Sequence, residues 1–173
     1  MHLQVVALNL RSRRHWVIGD VHGCYQPLCH LLASLPPNDH LVFCGDVINR
    51  GEAIPATMDL VWDLVQGGRA TWLRGNHEQD LIDALESRDG LSQHATYAQL
   101  GDSSARQWLP RLQQLPLVYR GDGWCAPMQG STPQANRISP FVIPSGRPMT
   151  VVLARLLWAI RPVPRWSASA RSF

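Results

Sequence analysis

The chain has 173 residues, enough for one domain with its own core, and its 45% apolar fraction is that of a globular protein, not a disordered or membrane-embedded one. The formal charge of +3 hides an uneven distribution: residues 1–124 carry ten Arg and all thirteen acids, residues 125–173 carry six Arg and no acid, and Lys is absent. No basic stripe interleaved with aromatics runs through the body, which argues against a nucleic-acid surface.

Residues 1–14 read as an N-terminal extension. The stretch from Met1 to Leu10 is apolar but short, and Arg11, Arg13 and Arg14 follow it, the wrong order for a secretory signal. The most apolar later stretch, residues 151–160, is interrupted by Arg155 and falls well short of the ~20 residues that cross a bilayer. A soluble, cytoplasmic protein is expected. The four cysteines, Cys24, Cys29, Cys44 and Cys125, lack metal-site spacing and read as buried free thiols.

From His15 the chain alternates strand and helix. A short apolar run at residues 15–18 reads as a strand, and residues 25–35 follow as a helix with Leu28, Leu31, Leu32 and Leu35 on one face, stopped by Pro36 and Pro37. A second strand at 40–44 leads to a helix at about 53–65 through Ile54, Met58, Val61 and Val65, ended by Gly67 and Gly68. A third strand at 70–73 precedes a turn at Asn76 and His77 and a third helix through Leu81, Ile82 and Leu85. The pattern weakens over 91–100. Residues 103–115 then form an amphipathic helix, and a strand at 117–119 turns at Gly121, Asp122 and Gly123. Beyond Trp124 periodicity is lost. The order predicts an α/β layer fold with a largely parallel sheet over residues 15–124.

Three Gly-containing motifs follow the three strands: Gly19-Asp20-Val21-His22-Gly23, Gly45-Asp46-Val47-Ile48-Asn49-Arg50-Gly51 and Gly75-Asn76-His77-Glu78. Each alone is a commonplace turn, but three after consecutive strands place their side chains where open α/β sheets bind ligands. Carboxylate, imidazole and amide oxygen suit divalent Mn, Fe or Zn. Asp20 and His22 can face one metal, Asp46 can bridge two, and Asn76 can serve the second. Arg50 offers a planar fork for phosphate oxygens, and His77 an acid for the leaving oxygen. The residues 77–80 lack the second His of a zincin helix, and His30, His40 and His94 have no companions in the sequence.

On these motifs the chain resembles the calcineurin-like metallophosphoesterases, in the bacterial phosphoprotein phosphatase branch that includes serine/threonine phosphatases and symmetrical diadenosine tetraphosphatases. The resemblance implies an α/β/β/α sandwich with its N-terminal half present and its C-terminal sheet incomplete. It also implies a two-metal centre in which Asp20 and His22 bind the first ion, Asp46 bridges, Asn76 binds the second, Arg50 contacts phosphate and His77 is the acid. The implied reaction is hydrolysis of a phosphomonoester on a protein Ser or Thr by a metal-bound hydroxide, with a dinucleoside polyphosphate as the alternative substrate.

Two departures stand out. Asn49 occupies the place where protein phosphatases carry an Asp that pairs with the catalytic His; its amide oxygen is expected to orient the His77 ring without supplying charge. The family's two further His ligands, from His-Ala-Gly and Gly-His-Thr segments, are missing, since no His follows His94. The genetic code suggests why. Read across codon boundaries, Met128-Gln129 forces Ala and its neighbours permit Thr-His-Ala-Gly. In the same frame Trp158-Ala159 forces Gly and its followers permit Gly-His-Thr. Residues 125–173 are therefore expected to be an irregular basic tail read out of frame from near Gly121 to Ala126. A genuine basic tail acting as an interaction segment, and a truncated, inactive metal-binding remnant, are the competing readings.

Overall fold

The computed structural model describes residues 14–121 and 124–127. Residues 1–13, the centre of the predicted turn at 122–123 and the tail beyond Pro127, including the stretch 151–160, lie outside the described residues.

Three strands, β1 (His15–Ile18), β2 (His40–Phe43) and β3 (Ala70–Trp72), form a parallel sheet in the order β1-β2-β3. The register pairs His15 with His40 and Leu41 with Ala70. The connections are α1 (Tyr25–Ser34) and α2 (Ile54–Gln66), followed after β3 by α3 (Asn76–Ser87), a 3-10 turn at Leu91–Gln93 and α4 (Ala95–Gln113). The helical starts obey local chemistry: Pro55 sits in the first turn of α2, where its missing N–H is harmless. A hairpin of β4 (Val118–Gly121) and β5 (Trp124–Pro127) ends the described chain.

The two faces of the sheet have different partners, because successive strand residues point to opposite sides. Ile18, Leu41, Phe43, Ala70 and Trp72 share the main core with Leu28, Ile54, Met58, Val61, Leu81 and Leu112 of the helices. Val17, Val42, Cys44 and Leu73 point the other way, onto Ala126 and Tyr119 of the hairpin. Helices, parallel sheet and hairpin thus make three layers, in agreement with the mixed α/β layer fold expected. α4 is keyed into the main core by Trp108, whose ring meets Trp62 of α2 and Trp72 of β3 at 5.8 and 6.2 Å, with the Arg111 guanidinium over Trp108 at 4.8 Å.

Several expectations change. Helix begins at Ala95, not Ser103: the run 95–113 is interrupted only at Gly101 (φ 74°, ψ 166°), a conformation glycine adopts without strain, so the weak periodicity at 91–100 concealed a helical turn. Order continues past Trp124, because β5 needs only backbone partners from β4. Of the cysteines, Cys44 is buried, but Cys24 and Cys29 are half-buried free thiols. His40 does have companions: its Nε2 meets Thr71 Oγ1 at 3.0 Å, and its ring lies 5.4 Å from His15 and 5.6 Å from Tyr119.

Candidate metal centre

The three motifs converge at the C-terminal ends of β1, β2 and β3. Asp46, 6% exposed, is at the middle. Its backbone carbonyl accepts the N–H groups of Val21 and His22 at 3.0 and 2.9 Å, which ties the first motif to the second. Its Oδ1 accepts the N–H of His77 at 3.2 Å, which ties in the third. Gly45 (φ 90°) passes against Gly75 so closely that a Cβ on either would strike backbone, so the two loops can meet only as glycines. Asn76 and His77 are not on a turn before the helix, as the sequence suggested. They are the first residues of α3, with Gly75 as N-cap, so their side chains are aimed by a helix start.

His22 is buried, and its Nδ1–H donates to the Ile48 carbonyl at 3.3 Å, which turns Nε2 toward Asp20 Oδ2, 3.6 Å away. A neutral ring would set a lone pair against a carboxylate there. The bond to Asp20 accordingly raises the His22 pKa above 6.5, with burial opposing and the Ile48 carbonyl adding to the rise. A position that attracts a proton between Nε2 and a carboxylate also suits a divalent cation, and a carbonyl on the other ring nitrogen is the usual way of orienting a metal-binding His.

The Asn76 amide tells the same story on the other side of Asp46. Its nearer polar atom lies 3.2 and 3.3 Å from Asp46 Oδ2 and Oδ1. With nitrogen on that side it donates to both; with oxygen there, two acceptors face each other, and a cation or a proton on Asp46, whose pKa burial raises, reconciles them. Ligand atoms of His22, Asp46 and His77 lie within 4.8 Å of one another. The carboxylates of Asp20 and Asp46, the His22 imidazole and the Asn76 amide oxygen are a donor set suited to a divalent metal, with His77 beside them.

Residues 13–150 match the calcineurin-like phosphoesterase family. The chain belongs to that family. It is 35% identical over 118 residues to a symmetrical bis(5'-nucleosyl)-tetraphosphatase of Ralstonia nicotianae, covering 68% of this chain and 42% of that one. It is 39% identical over 90 residues to serine/threonine-protein phosphatase 2 of Salmonella typhimurium, covering 48% and 38%. A solved metallophosphoesterase from Sphaerobacter thermophilus is 23% identical with a TM-score of 0.48, over 65% of this chain and 45% of that one. The chain spans under half the length of the curated relatives it matches. Among the described residues no helix is long and apolar enough to cross a membrane.

In this family member the Asn49 turn departs from expectation in one atom. Asn49 Oδ1 accepts the Arg50 N–H at 3.0 Å, so it is the amide nitrogen, not the oxygen, that lies 3.1 Å from His77 Nδ1. His77 must then accept at Nδ1 and carry its proton on Nε2. Burial lowers its pKa below 6.5, with Asp46 opposing and His22 and Arg50 adding to the fall. Asn49 (φ 70°) and Arg50 (φ 67°) are consecutive left-handed residues; Asn tolerates this, whereas for Arg50 it costs on the order of 1 kcal/mol. Arg50 itself is exposed, and its charge acts on both His22 and His77.

Glu78 is the residue that sequence reasoning named in its motif but gave no role. Fully buried, it accepts the N–H groups of Asp46 and Gly75 at 2.8 Å each on Oε2 and of Val47 at 2.9 Å on Oε1. One side chain thereby holds the second and third motifs together. Burial and the nearby Asp46 charge push its pKa up to about 7, against the pull of the three amides. Its position at the third residue of a helix after Gly75 was the available signal, since an acid there commonly turns back on its own N-cap. A separate cavity of about 380 Å³ between α2 and α4, lined among others by Asp59, Gln99 and Arg111, shares no residue with the His22, Asp46 and His77 group.

Proposed function

We propose that this chain carries the N-terminal half of a two-metal site that hydrolyses phosphoric esters or anhydrides. The observation that carries the reading is the convergence on the buried Asp46 carboxylate, after β2, of His22 from the end of β1 and of Asn76 and His77 from the end of β3. Divalent ions, when bound, supply Lewis acidity toward a phosphoryl oxygen and toward water. Asp20 and His22 are suited to the first ion, Asp46 to both and Asn76 to the second. The remaining work falls to the chain's own groups. Arg50 stands at the exposed edge, where its guanidinium can grip phosphate oxygens, and His77 holds its proton on Nε2, facing His22 at 5.1 Å between ring centroids.

A dinucleoside polyphosphate is the substrate better supported by the comparisons: relatives named as symmetrical tetraphosphatases match over 118 and 125 residues, the serine/threonine phosphatase over 90. A phosphorylated Ser or Thr on a protein is the second reading, supported by that shorter match. Two ligands on the second ion enclose it poorly, so turnover by the 173-residue chain is expected to be weak even with Mn. The residue organisation at 15–124, with an out-of-frame tail beyond it, belongs to the same proposal.

Thermal unfolding with and without Mn tests the metal reading directly. Mn is expected to raise the midpoint in the wild-type chain and leave Asp46→Asn unmoved; equal shifts in both would exclude Asp46 as a ligand. Assays with diadenosine tetraphosphate and a phosphoserine peptide then separate the substrates.

A further inference from the structure

The turn that carries Arg50 is not held by its own motif. Asn49 and Arg50 are both left-handed, and a left-handed pair of residues relaxes unless its surroundings fix it. The fixing groups come from α4, more than forty residues on. Thr96, fully buried, accepts the Asn49 N–H on Oγ1 at 3.1 Å. Gln99 spans the other side of the turn, donating from Nε2 to the Gly51 carbonyl at 2.8 Å and accepting the Ile54 N–H on Oε1 at 2.9 Å. Every one of these partners is backbone, so the side chains at 49 and 50 are left free for other work. Below the turn, Gly51 lies against the His22 carbonyl and Gly23, where a Cβ would collide, so the turn is pinned from both sides. Beyond the break at Gly101, the second part of α4 is packed on the core through the Trp108 contacts with Trp62 and Trp72.

We propose that Thr96 and Gln99 are positioning residues for Arg50, setting the affinity of the site for a phosphoryl group by clamping the turn at Asn49, Arg50 and Gly51. This rests on the reading of Arg50 as the phosphate contact. Neither residue touches phosphate; both act through the direction in which the turn points the guanidinium. Asn49 is carried on the same turn, so the clamp also sets where its amide meets His77.

The test is a double-mutant cycle on the full chain loaded with Mn, reading the dissociation constant of inorganic phosphate by calorimetry. Arg50→Ala is expected to weaken phosphate by about tenfold or more, the loss of a charge-assisted pair. Thr96→Val, which keeps the shape and removes the hydroxyl, and Gln99→Met are each expected to weaken it by about three- to tenfold. Thr96→Ser should restore it. In the Arg50→Ala background neither substitution should weaken phosphate further, and Mn affinity should stay within about twofold throughout. Hydrogen exchange of the amides at 49–54 should rise in both variants, a readout that needs no metal. If Arg50→Ala weakens phosphate while Thr96→Val and Gln99→Met do nothing, or act equally in its absence, or abolish Mn binding, this inference is overturned alone. If Arg50→Ala leaves phosphate binding unchanged, or the wild-type chain binds none, the reading of Arg50 falls and this inference with it.

Discussion

Asn49 Nδ2 lies 3.1 Å from His77 Nδ1, and the orientation is fixed because Asn49 Oδ1 is already engaged by the Arg50 N–H. The amide therefore stabilises the neutral ring and opposes the imidazolium, which needs an acceptor at Nδ1. Burial acts in the same direction, so His77 is held neutral below its ordinary 6.5.

Asn49→Asp should reverse this. One carboxylate oxygen can keep the Arg50 N–H while the other accepts from a protonated His77, so the His77 titration midpoint followed by NMR is expected to move up. In the wild-type chain a depressed His77 pKa gives stability that is present above pH 6.5 and lost as pH falls through the folded value. The variant should lose less stability on acidification over that window, and an unmoved midpoint would show that Asn49 does not control the ring.

Glu78→Gln is expected to destabilise the fold by about 1–3 kcal/mol in urea unfolding, because an amide NH2 must then face backbone donors that the carboxylate satisfied. Glu78→Ala should cost more. The pH dependence has a definite sign. With the folded pKa raised to about 7 from 4.5, the unfolded chain ionises first as pH rises, so stability falls between those values and then levels off. Glu78→Gln should flatten that slope.

His22 is raised where His77 is lowered, chiefly by its bond to Asp20. The stability it contributes is complete below 6.5 and is lost as pH rises through the higher folded pKa. The same proton competes with metal at Nε2, so Zn or Mn affinity should drop by about tenfold per pH unit below that pKa. Asp20→Asn should shift the break to lower pH and weaken binding above it. Calorimetric metal titrations across the range check both points.

Trp108→Ala should cost about 3–5 kcal/mol, since it empties the contact that joins α4 to α2 and β3. Trp108 lies beyond the Gly101 break, so amides of residues 102–113 should exchange faster in this variant, while those of β2 stay protected as long as the fold persists.

The alternation of β1, α1, β2, α2, β3 and α3, and the three motifs at the strand ends, were legible in the sequence. Apolar spacing along a short segment is a local property, and Gly, Pro and Asp mark turns by their own backbone preferences. The family resemblance rests on the same local runs. What surrounds those runs is a different matter. Glu78 reaches Asp46 across 32 residues, Thr96 reaches Asn49 across 47 and Gln99 reaches Gly51 across 48. Nothing in the spacing of a buried Thr or a helical Gln distinguishes them from ordinary core and surface residues. The direction of the Asn49 amide is decided by which atom Arg50 N–H takes, and the raised and lowered pKa values of the neighbouring His22 and His77 by which groups the fold places beside each ring. Sequence determined which ligands the strand ends present, because that depends on residue type and local turn geometry. Only the tertiary structure decided how they are oriented, charged and held, because those depend on burial and on hydrogen-bond partners that the folded chain alone brings within reach.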